Sequence, residues 1–284
     1  MKKTAMMLLA ALLLAACEKP LVEETAERGN LILQVMQLEQ TPFNVESRAA
    51  VADRCNRLNF AIYDSEGTRV KQINQQTGDE DFGTASFQLE EGQYRLLVVG
   101  HSSSGNPTMT NASKVQFTNA TGYTDTFMYS TVIDVSNESL TLPLTLKRIV
   151  ARCSFVINDA IPETVSQMQF QYTGGSGAFD AATGLGCVNS TQLLKADVTA
   201  GQTNTQYDLY TFLHSTDGTL KIAATALDSQ GNALYGKEID VPMTINKVTW
   251  CKGDFFVGDE PKPKDISATV TVDDQWEGEI QTTY

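Results

Sequence analysis

From Leu140 to Leu146 every second residue is leucine, with Thr141, Pro143 and Thr145 between. Only an extended chain puts residues i and i+2 on one side, so this run buries one face and wets the other as a strand, not as a helix. The same period recurs along most of the chain. Leu31, Leu33 and Val35 alternate, and so do Leu58, Phe60 and Ile62 ahead of the turn sequence Asp64-Ser65-Glu66-Gly67. Ala85, Phe87 and Leu89 alternate up to Glu90-Glu91-Gly92, and the apolar run Tyr94 to Val99 after it reads as the second arm of a hairpin. Pro143 lacks an N–H for a ladder, which predicts an edge position for the leucine strand.

The pattern resumes after Arg148. Ile149, Ala151, Cys153, Phe155 and Ile157 share one face of a strand, and Cys153 on it reads as a buried thiol. Further strands are expected at Met168 to Tyr172, Tyr207 to Leu213, Leu220 to Leu227 and Lys247 to Trp250. Asp228 to Asn232 forms a hairpin turn, and Ile266 to Val272 alternates after the stiff Pro261-Lys262-Pro263-Lys264 spacer. Residues 41–53 look loop-like. No helical stripe exceeds two turns. Short strands at roughly ten-residue spacing imply an all-β chain of Greek-key sandwiches, and the length suits two in tandem. The expected division is a leader at 1–16, a tether at 17–29, and sandwiches at 30–147 and 148–284 that abut near Lys147.

The beginning of the chain has its own logic. Lys2 and Lys3 precede an apolar run from Ala5 to Ala16, then small residues and a cysteine, as Leu14-Ala15-Ala16-Cys17. This is the layout of a secretory signal. Its apolar stretch is short of the ~20 residues a membrane-spanning helix needs. The final four residues resemble the lipobox of bacterial lipoproteins. That resemblance implies cleavage before Cys17, a Cys17 carrying palmitate-like acyl chains as the new N-terminus, and an outer membrane address. Two or three chains hold lastingly where one would not.

Composition narrows the partners. The chain carries a net charge of −13, which removal of Lys2 and Lys3 would deepen to −15. That sign repels phosphate backbones and anionic headgroups, which excludes nucleic acid and electrostatic membrane binding. Beyond Cys17 there are Cys55, Cys153, Cys187 and Cys251; four cysteines allow three pairings, and none sits at C-x-x-C spacing. No cofactor or metal site is indicated.

Several stretches imitate chemistry. Gly100-His101-Ser102-Ser103-Ser104-Gly105 follows an apolar strand, as a hydrolase nucleophile does, but its second glycine is one residue late and Asn106-Pro107 replaces the needed helix. His214 is the only other histidine. Tyr172 to Gly177 is glycine-dense without the Lys-Ser/Thr step of a phosphate loop, so a flexible loop or bulged hairpin is expected there. Asp79-Glu80-Asp81 and Asp273-Asp274 with Glu277 and Glu279 lack calcium-loop spacing. Tyr123, Phe127 and Tyr129 are candidates for a sugar platform, with packing the plainer reading. No catalytic residue is assigned, and the chain reads as no enzyme.

Three phrases in order carry a family likeness: Arg57-Leu58-Asn59-Phe60-Ala61-Ile62-Tyr63-Asp64 with Gly67, Gly92-Gln93-Tyr94-Arg95-Leu96-Leu97-Val98-Val99, and Leu146-Lys147-Arg148-Ile149-Val150-Ala151. Together they resemble the fimbrillin superfamily of certain Gram-negative anaerobes, most of all FimB-type anchor and accessory lipoproteins. The resemblance implies two transthyretin-like sandwiches, a surface-exposed fimbrial (pilus) location, and other fimbrial subunits as partners through β-strand exchange. It also implies, for shaft subunits, cleavage after an arginine. Arg48-Ala49 is the matching candidate here and Arg28-Gly29 the second; the strand released would be Leu31 to Leu38. Ile266 to Tyr284 would either donate a strand or complete its own sheet. The other reading is a glycan-binding or adhesin lipoprotein of the surface.

Overall fold

The computed structural model describes residues 29–39, 51–257, 267–268 and 279–283. The first half supplies β1 (Leu31–Glu39), α1 (Val51–Arg54), β2 (Arg57–Tyr63), β3 (Arg69–Gln76), β4 (Thr84–Phe87), β5 (Gly92–His101), β6 (Thr108–Asn111), β7 (Lys114–Gln116), β8 (Phe127–Val135) and β9 (Leu140–Arg148). The second supplies β10 (Ala151–Ile157), β11 (Gln167–Thr173), β12 (Ala178–Phe179), β13 (Gln192–Asp197), β14 (Thr205–Thr211), β15 (Asp217–Leu227), β16 (Ala233–Thr244), β17 (Val248–Gly253), β18 (Ser267–Ala268) and β19 (Glu279–Thr283). The protein is all-β, as the alternation predicts. Among the described residues no helix is long and apolar enough to cross a membrane.

Seven strands of the first half run in the order β3-β2-β5-β8-β9-β1-β4. β8 and β9 pair only at one end, through Phe127↔Arg148 and Met128↔Lys147. The sheet folds over at that seam into two layers. Leu58, Phe60, Leu96 and Val98 of one layer meet Leu31, Leu33, Leu144 and Leu146 of the other in a single cluster. In the second half, β14-β10-β17-β19-β18 stacks on β13-β11-β15-β16. Cys153, Phe155, Phe170, Ile222 and Val241 fill the space between, with Phe155 edge-on to Phe170 at 5.1 Å.

β2 and β5 are buried on both faces. Leu97 and Val99 point away from the first cluster into a second one, together with Ala61 and Tyr63. That second cluster is shared, because Ile149, Phe179, Phe212 and Val248 of the other half complete it. The small sheet β12-β7-β6 also takes strands from both halves.

Three expectations change. β4 and β5 form no hairpin. β4 pairs antiparallel with β1, while β5 lies between β2 and β8. A strand as apolar as Leu96 to Val99 needs both faces covered and both edges paired, whereas four alternating residues suit a rim. The leucine strand β9 is not outermost, since β1 runs parallel along it. Its Leu140 N–H donates to Asn30 O on the β1 side, so strand alternation turns the Pro143 nitrogen to the other side, where β8 has splayed away. The proline thus marks a local free edge. Ile149 joins the shared cluster rather than the core of Cys153. Cys153 is a buried thiol, its Sγ 3.5 Å from that of Cys251, and Cys55 and Cys187 are free as well.

A buried cation adds to the shared cluster and the shared sheet between the halves. The Arg148 side chain is 2% exposed and grips Asp125 with two bonds, Nε to Oδ1 at 2.7 Å and Nη2 to Oδ2 at 2.8 Å. Its Nη1 donates to Asn246 Oδ1 at 3.0 Å, and its guanidinium lies 4.8 Å over the Phe127 ring. Asn246 takes φ +61°, a left-handed conformation that asparagine tolerates, and its N–H donates to Val150 O. Truncating one partner of such a pair leaves a charge stranded. Arg148→Ala is expected to lower the urea unfolding free energy by about 3 kcal/mol or more. Arg148→Lys should fall between, because an ammonium cannot make the forked contact.

Candidate functional site

The first strand occupies a slot rather than a rim. β1 is parallel to β9 on one side, Leu31↔Leu140 to Glu39↔Lys147, and antiparallel to β4 on the other, Leu31↔Phe87 to Gln34↔Thr84. Leu31 and Leu33 are fully buried and Leu38 nearly so. A bulge between Val35 and Gln37 turns Met36 outward, where it is 58% exposed.

Both ends of β1 are fastened. The Asn30 side chain donates to Leu89 O and Ser136 O and accepts from the Leu89 N–H, while its own carbonyl takes the Leu140 N–H. One residue therefore holds both sides of the slot. Gly29 precedes it with no room for a side chain: a Cβ would lie 2.1 Å from Phe87 O. Its N–H donates to Ser86 Oγ. At the far end Glu39 pairs with Lys147 at 3.2 Å. Neither Gly29 nor Asn30 stands out in the sequence, because a Gly-Asn step before an alternating run reads as ordinary tether.

The other expected features separate. Cys17, Arg48 and Ala49 lie outside the described residues. Of the terminal segment, β19 pairs in parallel with β17, and β18 pairs with β19, so those residues complete their own sheet. Where the chain leaves β17, the Asp159 carboxylate accepts the N–H groups of Phe255, Phe256 and Val257 at 2.8, 2.6 and 2.9 Å. Nothing in the spacing pointed to Asp159.

The glycine-dense loop is neither flexible nor a hairpin. Gly175 comes so close to Thr211 that a Cβ would lie 2.0 Å from its Oγ1, and Ser176 is fully buried, its hydroxyl donating to Ala178 O. Tyr123 packs against Gly177 and the shared cluster, and Phe127 is core. Tyr129 lines the cleft beside β8, while Tyr123 packs against a different cluster from Phe127. Among the described residues no group of three or more His, Cys, Asp and Glu could hold a metal.

The hydrolase imitation dissolves on inspection of its bonds. His101 is fully buried; its Nδ1 accepts the Ser103 N–H at 3.1 Å and its Nε2 meets Asn59 Oδ1 at 2.8 Å. Both nitrogens are thus spent on the neutral ring with the proton on Nε2. Ser102 Oγ donates to Arg54 O and accepts the Asn56 N–H. His214 Nδ1 lies 2.9 Å from Gly186 O. The Ser102 hydroxyl is bonded to Arg54 O and the Ser103 hydroxyl to Thr124 Oγ1, not to a histidine nitrogen.

A family model described as fimbrillin-A associated anchor proteins Mfa1 and Mfa2 matches residues 37–282. The chain belongs to this anchor family. Membership makes it a fimbrial accessory protein of the anchor type, with fimbrial subunits as the associates of its family. A candidate adhesin from Bacteroides ovatus is 15% identical, covering 76% of this chain and 77% of its own, with a TM-score of 0.47. The fimbrial anchor protein Mfa2 from Porphyromonas gingivalis is 11% identical over 72% and 80%, TM-score 0.42. A candidate cell adhesion protein from Bacteroides eggerthii is 11% identical over 90% and 95%, TM-score 0.46. No curated protein matches the chain.

Two measurements probe this anchor-family core. Leu33→Ala, which empties the middle of the β1 slot, should cost about 3 kcal/mol in denaturant unfolding. Burial, aided by the Arg57 charge, lowers His101 to about 4. Its stabilising contribution is complete above about pH 6.5, the unfolded value, and is lost as pH falls through that window toward 4. Unfolding free energy should drop by roughly 2 kcal/mol between pH 6.5 and 5, and His101→Gln should flatten that slope.

Proposed function

We propose that this chain is the anchor or accessory subunit of a surface fimbrium, held on the outer membrane by acyl chains on Cys17 and joined to other subunits by strand exchange. It does no catalysis. The observation that carries the reading is β1, a strand hydrogen-bonded on both sides over the main core in a chain of the Mfa1 and Mfa2 anchor family. Removing such a strand would open a slot with two unpaired walls and a leucine-lined floor, which an extended segment from a neighbour fits. Residues 30–147 and 148–284 would act as two sandwich domains, with the shared cluster and Arg148 between them.

Arg48-Ala49 is the bond whose cutting would free β1, since it follows that strand and precedes α1. Arg28-Gly29 suits a protease poorly. Gly29 is buried against Phe87, and a protease must engage extended, accessible chain on both sides of the bond. In the anchor version Arg48-Ala49 stays intact and β1 keeps its own slot, so the contact with neighbouring subunits runs through other strand edges of the chain. The glycan-binding alternative would want Tyr123, Phe127 and Tyr129 on one face, and Tyr123 packs in a separate cluster.

Mass mapping of the N-terminus from native fibres tests this directly. The expected result is an acylated Cys17 peptide and a continuous chain across Arg48-Ala49, and Cys17→Ala should release the protein from the envelope fraction. A native terminus at Ala49 would move the chain to the shaft class, and an unmodified Cys17 in membrane-bound protein would remove the anchor.

A further inference from the structure

β8 and β9 diverge beyond the Met128↔Lys147 pair, and the wedge between them opens into a cleft of about 540 Å³. Met128, Ile149, Leu185 and Ile245 give it apolar walls drawn from both halves of the molecule. Clefts of this size between packed units are where proteins take ligands. Its geometry and its chemistry both restrict the occupant.

The rims are strand edges. Because the Leu140 N–H points to β1, alternation directs the backbone groups of Thr141, Pro143 and Thr145 into the wedge. Among the described residues they have no ladder partner there, and neither do Tyr129 to Val135 of β8 on that side. Of the two rims, β9 is guarded by Pro143 and Lys147, whereas β8 is rich in β-branched residues and carries no lysine or proline. An unguarded edge binds extended chain through main-chain hydrogen bonds.

The lining then selects. Among the described residues it offers hydroxyls and apolar groups but no carboxylate and no side-chain amide, the planar groups that grip paired sugar hydroxyls. The site therefore favours peptide over carbohydrate. Its charged residues are Lys147 and Arg148, both positive, in a chain of net charge −13. Arg148 is committed to Asp125. Lys147 pairs with Glu39 across side chains 71% and 43% exposed, a bond weak enough to exchange.

We propose that the β8–β9 cleft is a docking groove for an extended peptide segment of a partner subunit, apolar at alternate positions and carrying a carboxylate opposite Lys147. The groove is separate from the β1 slot, which the chain fills itself. That the partner is fimbrial rests on the reading given above; the chemistry of the groove does not.

The test uses the full-length protein in detergent and a fluorescein-labelled heptapeptide amide, Thr-Ile-Thr-Ile-Thr-Glu-Thr, with a twin in which lysine replaces glutamate. Anisotropy should show saturable binding of the acidic peptide at least tenfold tighter than of its twin. Lys147→Glu should reverse that preference. Thr145→Pro removes one wedge-facing N–H and no β1 bond, and it should weaken both peptides at least fivefold while leaving the urea midpoint unchanged. Hydrogen exchange should slow at amides of β8 and β9. The proposal falls if neither peptide saturates, if both variants bind as wild type, or if protection appears at β4 instead. It falls equally if the cleft takes neutral oligosaccharides in a manner lost with Tyr129→Ala, or if the edge only pairs two copies of the chain. Binding that persists in a protein shown to lack acyl-Cys17 would remove the anchor reading and leave the groove standing.

Discussion

The two-sided burial of β5 organises everything around it. Leu96 and Val98 seat one layer of the first sandwich on the other, and Leu97 and Val99 seat the whole first half on the second. A strand with no polar face cannot lie at a rim or face water, so it takes the middle of its layer, with β2 and β8 on its edges. The hairpin with β4 is lost for that reason. The same demand draws Ile149, Val248, Phe179 and Phe212 from the second half to cover the remaining face. The halves are thus joined by apolar surface and by the β7–β12 ladder, and the Arg148 fork adds a further directional tie.

The period of two made the all-β class, the slot strand Leu31 to Leu38 and most of the second sandwich's core legible in the sequence. β3 and β13 were not, because both lie along rims, Arg69 to Gln76 being mostly polar and Gln192 to Asp197 lacking an alternating apolar face. β16 also lies on a rim, although Ile239, Val241 and Met243 alternate within it. Their strand character comes from the neighbour they pair with. β8 was hidden differently: Tyr129, Ser130 and Thr131 are all half-buried beside the wedge, so no alternation survives there to be read. Partner choice was also illegible. Alternation tells which face is wet and is silent on which strand lies alongside.

The site divides in the same way. That Leu31, Leu33 and Val35 form a strand could be read directly from the alternation, whereas its release was implied only by the family resemblance. The fastenings could not, because Gly29 and Asn30 act through backbone approach and through contacts 59 and 106 residues away. Asp159 is alike, a lone carboxylate until the fold brings three N–H groups to it. The glycine-dense loop misled for a related reason: glycine serves close packing against Thr211 and Thr219 as readily as it serves mobility.

The direction of β1 has a mechanical consequence. It runs parallel to β9 and antiparallel to β4, so a pull along its axis from the Gly29 end slides it lengthwise between two fixed neighbours. Every rung on both sides then resists together, in shear, instead of parting one after another as a peeled ribbon does. A strand held that way yields to tension only when many bonds fail at once.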